Sequence, residues 1–219
     1  MSDIITPQDD CAARIYVELM AEVSDRLNMV MRTQLAEFSN PFFLHLDYMA
    51  FEFAMLQLRM VAELIAFACL VAHGDVPEAR SKKFREEHSA VVIFKKLALF
   101  HADYFPKPVS RVVLASGNMD IQPRPEGAIT RQELQSLYTY CLKFLHRGRP
   151  AQIFAEERRK YDFDYIRESA NKIAWLLDVH IINLVSGRVM LVDMNKDGKV
   201  SQEWHIPIPT PRGNAYPRA

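Results

Sequence analysis

The sequence has few of the residues that mark secreted, metal-stapled or redox-active proteins. Its cysteines number only three, Cys11, Cys69 and Cys141, at wide spacing. No Cys-x-x-Cys pair occurs, which excludes a zinc ribbon and a thioredoxin motif. Each cysteine lies in a segment with a helical pattern. We therefore expect buried, reduced thiols and a cytoplasmic location rather than a disulfide framework.

An excess of charge of one sign and a long apolar run are also lacking. The 27 Lys and Arg residues balance the 27 Asp and Glu residues, so the chain has no overall basic field of the kind that nucleic-acid binders carry. The N-terminus has neither the basic region nor the apolar core of a signal peptide. The longest apolar run, residues 64–72, is too short to span a bilayer, and we expect no membrane partner.

Catalytic and cofactor motifs are missing as well. The seven histidines form neither His-x-x-x-His nor Glu-x-x-His, and no His-Asp dipeptide occurs. Zincins, di-iron proteins and His-Asp phosphohydrolases therefore have no motif support. Isolated histidines near helix C-termini, such as His73 and His146, more often interact favourably with the helix dipole than bind a metal. We expect no cofactor, and whether the protein is an enzyme stays open.

What the sequence does contain is two long stretches with helical spacing. The first should begin after Thr6 as N-cap, with Pro7 at the first helical position, and run to about residue 38. The second is predicted over about 41–73, with Asn40 as its cap. Because it is apolar on nearly all faces, it should be a central helix. The two should form a long antiparallel hairpin in a helix bundle.

Further elements are predicted in the second half of the chain. An amphipathic segment covers residues 89–101. The capping box Thr130-x-x-Glu133 opens another helix, and a final one spans about 164–178. The proline-rich segment 103–127 is predicted to be a long connection with at most a short strand over 111–114.

The C-terminal region changes from a helical to a strand period. Short segments at 181–184, 189–192 and 200–206 predict a small three-stranded antiparallel β-meander. The predicted fold class is therefore mainly α, with this meander at the C-terminus. The predicted division is a helical bundle domain over 1–178, the meander over 179–206 packed on it, and an extended proline-rich tail over 207–219.

The turn at residues 195–198 has two interpretations. Asp193, Asn195 and Asp197 match alternate oxygen ligands of an EF-hand calcium loop. However, Trp204 stands where that loop needs a bidentate carboxylate, and the flanks read as strands rather than helices. A hairpin turn explains the same residues, and we favour it over a metal site.

Charged residues on the most apolar helix form a second candidate site. Arg59 and Glu63 are four residues apart, so their side chains can meet. Because buried charges need partners, a structural ion pair that includes Glu52 is the favoured interpretation. The alternative is a polar ligand site within the bundle.

A basic cluster is the third candidate. Lys143, His146, Arg147 and Arg149 gather at the end of a predicted helix, with aromatic residues interleaved. A nucleic-acid patch is one interpretation. A solvated helix end that carries its usual cations is the other, and we favour it.

Several segments resemble a group of uncharacterised bacterial proteins: Leu56 to Gly74, Phe100-His-Ala-Asp-Tyr-Phe-Pro-Lys-Pro108, and Leu145-His146-Arg147-Gly148. The long-hairpin helical core is also similar to HEPN-type domains, which include ribonucleases and non-catalytic binding modules. The ribonuclease members carry an Arg followed after four to six residues by a His. No Arg and His here have that spacing, because Arg80 to His88 is too long and Arg85 to His88 too short. The resemblance therefore implies the helical core without implying nuclease activity.

Two functional expectations follow. The first is a non-enzymatic helical binding or regulatory module that forms a homodimer, because its apolar long helices and ten methionines suggest more apolar surface than one small bundle buries. The second is a HEPN-like nucleic-acid-directed enzyme or toxin that uses Arg59, Glu63 or His146 in a cleft. The expected partners are a second copy or another protein, with nucleic acid less favoured.

Overall fold

The computed structural model describes residues 7–35, 47–74, 81–113, 119–146, 161–196 and 199–205. The helices are α1 (Pro7–Leu35), α2 (Asp47–Ala72), α3 (Lys82–Arg85), α4 (Ala90–Phe100), α5 (Arg131–Leu145) and α6 (Phe163–Leu177). The strands are β1 (Lys107–Val113), β2 (Met119–Pro123), β3 (Val179–Asn183), β4 (Val189–Lys196) and β5 (Lys199–His205). The predicted mainly α class is confirmed for this part of the chain.

The two long helices, α1 and α2, run side by side in opposite directions. Arg26 on α1 donates from Nη1 to Oε1 of Gln57 at 2.7 Å. Tyr16, earlier on α1, is close enough to Cys69, later on α2, for the two side chains to interact electrostatically. An earlier residue of α1 thus interacts with a later residue of α2, which shows that the two helices are antiparallel. The residues predicted to cap and start these helices, Thr6, Asn40 and Pro41, lie outside the described residues.

The core is built around α2, which contacts α1, α4, α5 and α6. Its larger fully buried residues recur every three or four positions: Phe51, Met55, Leu58, Val61, Ile65 and Cys69. By length and composition the segment Tyr48–Ala72 could cross a membrane, with a mean hydropathy of 1.8. However, 61% of that window is buried inside the protein, and core helices of soluble proteins pass the same test.

The sheet has five antiparallel strands in the order β2-β1-β3-β4-β5, so the predicted count of three is wrong. The two further strands form a hairpin within the segment predicted to be a long connection: β1 overlaps the short strand expected over 111–114, whereas β2 was not predicted. β1 joins β3 through Lys107↔Ile181 and Pro108↔His180. Proline weakens the strand pattern because it cannot donate to the ladder. Pro108 is tolerated because it stands at the start of β1.

The three strands predicted from the C-terminal region pair in chain order within this larger sheet. β4 and β5 pair from Val189↔His205 to Asp193↔Ser201, and a register shift precedes the pair Lys196↔Lys199. The turn between them therefore joins two antiparallel strands, as the hairpin interpretation predicts. Asp197, Gly198 and the tail 207–219 lie outside the described residues. The sheet draws on both parts of the predicted division, 1–178 and 179–206.

Local helix signals agree with the structure at α5. Thr130 accepts a hydrogen bond from the Glu133 backbone N–H at 3.2 Å, and the Glu133 carboxylate accepts from the Thr130 N–H at 2.7 Å. This is the predicted capping box. The cysteine prediction is wrong for Cys11, which is exposed, whereas Cys69 and Cys141 are buried as expected. Cys11 lies near the start of α1, on the side of the helix that faces away from the core.

Candidate functional site

The predicted pair of Arg59 and Glu63 is formed on α2. Arg59 donates from Nε to Oε1 of Glu63 at 3.1 Å. The hydroxyl of Tyr138, on α5, donates to the same oxygen at 3.2 Å. The Arg59 side chain is 33% exposed and that of Glu63 is 10% exposed. The group therefore reaches from the contact between α2 and α5 to the surface.

The surroundings of this group disfavour nucleophilic chemistry. Burial, reinforced by the Glu63 charge, raises the pKa of Tyr138, so its phenol stays a hydrogen-bond donor. Burial also raises the pKa of the Cys141 thiol on α5 to about 12. Since the thiolate is the reactive form of cysteine, Cys141 is inert at neutral pH. Glu52, the third predicted member, is partly buried about two turns before Arg59 on the same helix.

The predicted basic patch is described only in part. Lys143 and His146 are exposed at the end of α5, where cations suit the negative end of the helix dipole. Arg147 and Arg149 lie outside the described residues.

The predicted calcium loop is likewise described only in part. The Asp193 carboxylate, its first ligand, lies 3.3 Å from the guanidinium of Arg111 on β1, with both side chains largely buried. An arginine at this distance competes directly with a cation for the carboxylate. The side chain of Asn195, and Asp197 altogether, lie outside what the structure describes. Among the described residues, no three His, Cys, Asp or Glu side chains are grouped to hold a metal ion.

Sequence analysis missed a polar cluster where α2, α4 and β3 meet. His73 and His101 are the first residues after α2 and α4. Their Nε2 atoms lie 3.1 Å and 3.0 Å from the same carbonyl oxygen, that of Asn183 at the end of β3. The two rings are 5.3 Å apart between centroids. The positions of both histidines just after helix ends were the only sequence signal, since Asn183 comes from a distant part of the chain.

A carboxylate extends this cluster. Asp103 accepts a hydrogen bond from Nδ2 of Asn183 at 2.6 Å and one from Nζ of Lys107 at 2.6 Å. Burial acts to raise the pKa of Asp103, but the hydrogen bonds from Lys107 and Asn183 outweigh it and lower that pKa below its usual value. Asp103 is therefore a carboxylate at neutral pH.

A second buried histidine, His180 on β3, contacts α1. Its Nε2 lies 2.8 Å from the Tyr16 hydroxyl, and its Nδ1 lies 2.9 Å from the carbonyl oxygen of Leu177. The carbonyl can only accept, so Nδ1 carries the proton and Nε2 accepts from Tyr16. Burial lowers the pKa of His180 to about 4, which agrees with a neutral ring.

An apolar stripe is left exposed on the outer side of α2. Met49, Phe53 and Leu56 are 51%, 38% and 40% exposed, and Tyr48 beside them is 40% exposed. The first three recur at intervals of four and three residues, so they share one face of the helix. Met60, partly buried, continues the same line. Below, the α2 stripe means Met49, Phe53, Leu56 and Met60.

Comparison with protein-family models, curated proteins and solved structures finds no match for this chain. The resemblances to uncharacterised bacterial proteins and to HEPN-type domains therefore stay predictions from the sequence.

Proposed function

We propose that this protein is a non-enzymatic binding module that acts as a homodimer, with the α2 stripe at the centre of its interface. The observation that carries the proposal is the exposure of Met49, Phe53 and Leu56 on the long apolar helix at the centre of the fold. Single exposed apolar residues are ordinary on protein surfaces, whereas a contiguous line of them marks an interaction site.

The exposed area is of the right order for the centre of an interface. Side chains of this size carry roughly 200 Å² each, so Tyr48, Met49, Phe53 and Leu56 together offer about 350 Å² of mainly apolar surface. A standard interface buries ~800 Å² on each partner and is a little more than half apolar. These four side chains would supply most of that apolar area, and polar residues around them would supply the rest of the interface.

The charges beside the stripe favour a second copy as the occupant. Glu52 and Arg59 are about two turns apart on one flank of it. When α2 is set antiparallel to the same helix of a partner, around a two-fold axis near residue 55, Phe53 faces the partner's Leu56. The same operation brings Glu52 within a turn of the partner's Arg59. A face that is complementary to itself is what a two-fold dimer requires.

The group of Arg59, Glu63 and Tyr138 supports a structural role in this arrangement. Both donors are directed at one carboxylate oxygen of Glu63, which keeps that charge satisfied beside an apolar face. The guanidinium of Arg59 has five N–H donors, so one side chain can serve both Glu63 and the partner's Glu52. The ion pair thus fixes Arg59 at the rim of the interface.

The experiment that tests the proposal measures the mass of the particle in solution. We expect sedimentation equilibrium to give twice the 25.3 kDa chain mass for the natural protein and the single chain mass for Phe53→Glu/Leu56→Glu. Leu99→Glu is the matched control, because Leu99 lies on α4 and is 83% exposed; this variant should stay dimeric. A natural protein that is monomeric at 100 μM, or a double variant that is still a folded dimer, would overturn the proposal.

Absorbance and RNA-binding measurements on the same purified protein test the nucleic-acid alternative. We expect the purified protein to carry no nucleic-acid absorbance and to show no salt-sensitive RNA binding. RNA binding that is lost in Lys143→Glu, or nuclease activity that is lost in Arg59→Ala, would instead support the HEPN-like enzyme. Lys82→Glu on α3, where the lysine side chain is 87% exposed, is a charge-matched control for the first of these variants.

A further inference from the structure

The hydroxyl of Tyr104 is buried without a hydrogen-bond partner. Tyr104 follows α4 and is 0% exposed, with its ring packed against those of Phe94 and Phe105. No hydrogen-bond donor or acceptor among the described residues reaches its hydroxyl. A buried polar group that lacks a partner costs stability, and native proteins contain few of them. This hydroxyl is therefore a candidate to bind a group from outside the chain.

The guanidinium of Arg131 lies over the same phenol, with its Cζ atom 5.9 Å from the centroid of the ring. Burial raises the pKa of Tyr104, and the nearby charge of Arg131 only partly offsets this, so the phenol keeps its proton. A guanidinium can only donate hydrogen bonds. Even if Arg131 donates to the phenol oxygen, the proton of the phenol still lacks an acceptor. A group that accepts from both side chains must carry lone pairs, and the positive charge beside them favours an anion.

Arg131 has no carboxylate partner in the part of the chain that the structure describes. It is partly exposed at the first position of α5. Glu133 lies in the same turn, but residues two apart do not share a helix face. The carboxylate of Glu133 is directed instead to the Thr130 N–H, at 2.7 Å, and to Nζ of Lys172 on α6, at 3.4 Å. The positive charge of Arg131 therefore remains available to a ligand.

The first turn of α5 adds two further donors beside this side chain. Arg131 and Gln132 are the first two residues of the helix, and backbone N–H groups at these positions have no carbonyl partner within a helix. The capping box satisfies the N–H groups of Thr130 and Glu133 but not these two. The N-terminal end of a helix also carries partial positive charge, which favours anions. Arg131 thus joins the free start of α5 to the buried phenol.

We propose that Arg131, the Tyr104 hydroxyl and the start of α5 form a binding site for a small oxyanion, either a carboxylate or a phosphate. One oxygen of the ligand accepts from the guanidinium and the phenol, and another accepts from the backbone N–H groups of Arg131 and Gln132. Because the hydroxyl is buried, the partly exposed Arg131 side chain moves aside from the ring to admit the ligand. The site lies on α5 and is separate from the proposed dimer interface on α2.

Calorimetric titration with inorganic phosphate and, separately, with acetate tests the site, with the ionic strength held constant by sodium chloride. We expect saturable binding of one anion per chain, and the anion that binds more tightly identifies the source. Arg131→Gln should weaken binding by about tenfold or more, and Tyr104→Phe by about three- to tenfold, the sizes of a charged and a neutral hydrogen bond. Arg167→Gln is the matched control, since Arg167 lies near the start of α6 but is 55% exposed and paired with Asp164; it should bind like the natural protein.

Thermal unfolding separates a binding role of Tyr104 from a structural one. Without phosphate, Tyr104→Phe removes a polar atom that has no partner, so its melting temperature should equal or exceed that of the natural protein. Phosphate at about ten times its dissociation constant should raise the melting temperature of the natural protein by about 2–4 °C, and that of Tyr104→Phe by less. The proposal is overturned if neither anion binds saturably at ~50 mM, or if either Arg131→Gln or Tyr104→Phe binds like the natural protein. A lower melting temperature of Tyr104→Phe without phosphate would also overturn it, because the hydroxyl would then have a partner within the chain.

Discussion

The hydroxyl of Tyr16 lies 2.8 Å from Nε2 of His180, which joins the middle of α1 to the sheet by a hydrogen bond inside the core. Both residues are fully buried. Burial raises the pKa of Tyr16 well above its usual value and lowers that of His180 to about 4. Both shifts keep the two groups neutral, so the contact is a bond between uncharged partners over the whole physiological range.

Removing the Tyr16 hydroxyl should destabilise the fold. Tyr16→Phe leaves Nε2 of His180 buried without a donor, which costs about 1–3 kcal/mol of unfolding free energy. The measurement is urea unfolding followed by circular dichroism. Tyr161→Phe is the control, since Tyr161 is 39% exposed just before α6, and it should change the unfolding free energy by less than ~0.5 kcal/mol. Equal losses in the two variants would contradict a specific role for the Tyr16 contact.

The neutral state of His180 predicts an acid-sensitive component of stability. Its folded-state pKa, about 4, lies below the unfolded value of ~6.5. The unfolded chain therefore binds a proton that the folded chain does not, and stability falls as the pH drops from 6.5 towards 4. Comparing unfolding at pH 7.5 and pH 4.5 in the natural protein and in His180→Gln checks this. The natural protein should lose more stability, by about 2–3 kcal/mol; equal losses would show that carboxylates alone cause the acid sensitivity.

The ion pair on α2 should contribute more to the unfolding free energy than an exposed pair with the same spacing. Arg59→Ala leaves the Glu63 carboxylate, 10% exposed, with one donor fewer and should cost about 1–3 kcal/mol. Arg14 and Glu18 on α1 also lie four residues apart, but their side chains are 71% and 63% exposed. Arg14→Ala should cost no more than ~0.5 kcal/mol. Urea unfolding of both variants, at a protein concentration well above that of dimer dissociation, provides the comparison. A cost for Arg59→Ala as small as that for Arg14→Ala would mean that the group is solvent-screened.

The parts of the fold that were predictable from the sequence depend on residues close together in the chain. Thr130 and Glu133 form a capping box because the rule operates within a single helical turn, and Arg59 and Glu63 meet because residues four apart share a helix face. The hairpin of β1 and β2 was missed because Pro108 weakens the strand pattern. Its place beside β3 also depends on pairing over long sequence distance, which local patterns do not encode.

The candidate sites, in contrast, depend mainly on contacts between residues that are distant in the sequence. His73, His101 and Asn183 are brought together only when two helix ends and a strand end meet, and nothing in the sequence around any of them specifies the other two. The burial of His180 against Tyr16 is equally non-local. The apolar character of α2 was evident from its composition, but which of its faces stays exposed depends on how α1, α4, α5 and α6 pack around it.

The most direct test of the proposed dimer is a disulfide across its two-fold axis. Leu56→Cys should be made in a Cys11→Ser background, because Cys11 is exposed whereas Cys69 and Cys141 are buried. Leu56 lies close to the proposed axis, so the two introduced thiols should come within disulfide distance. Mild oxidation should then give a covalent species of twice the 25.3 kDa chain mass, whereas Leu99→Cys in the same background should stay at the single chain mass. Failure of Leu56→Cys to cross-link, or equal cross-linking at both positions, would contradict the account.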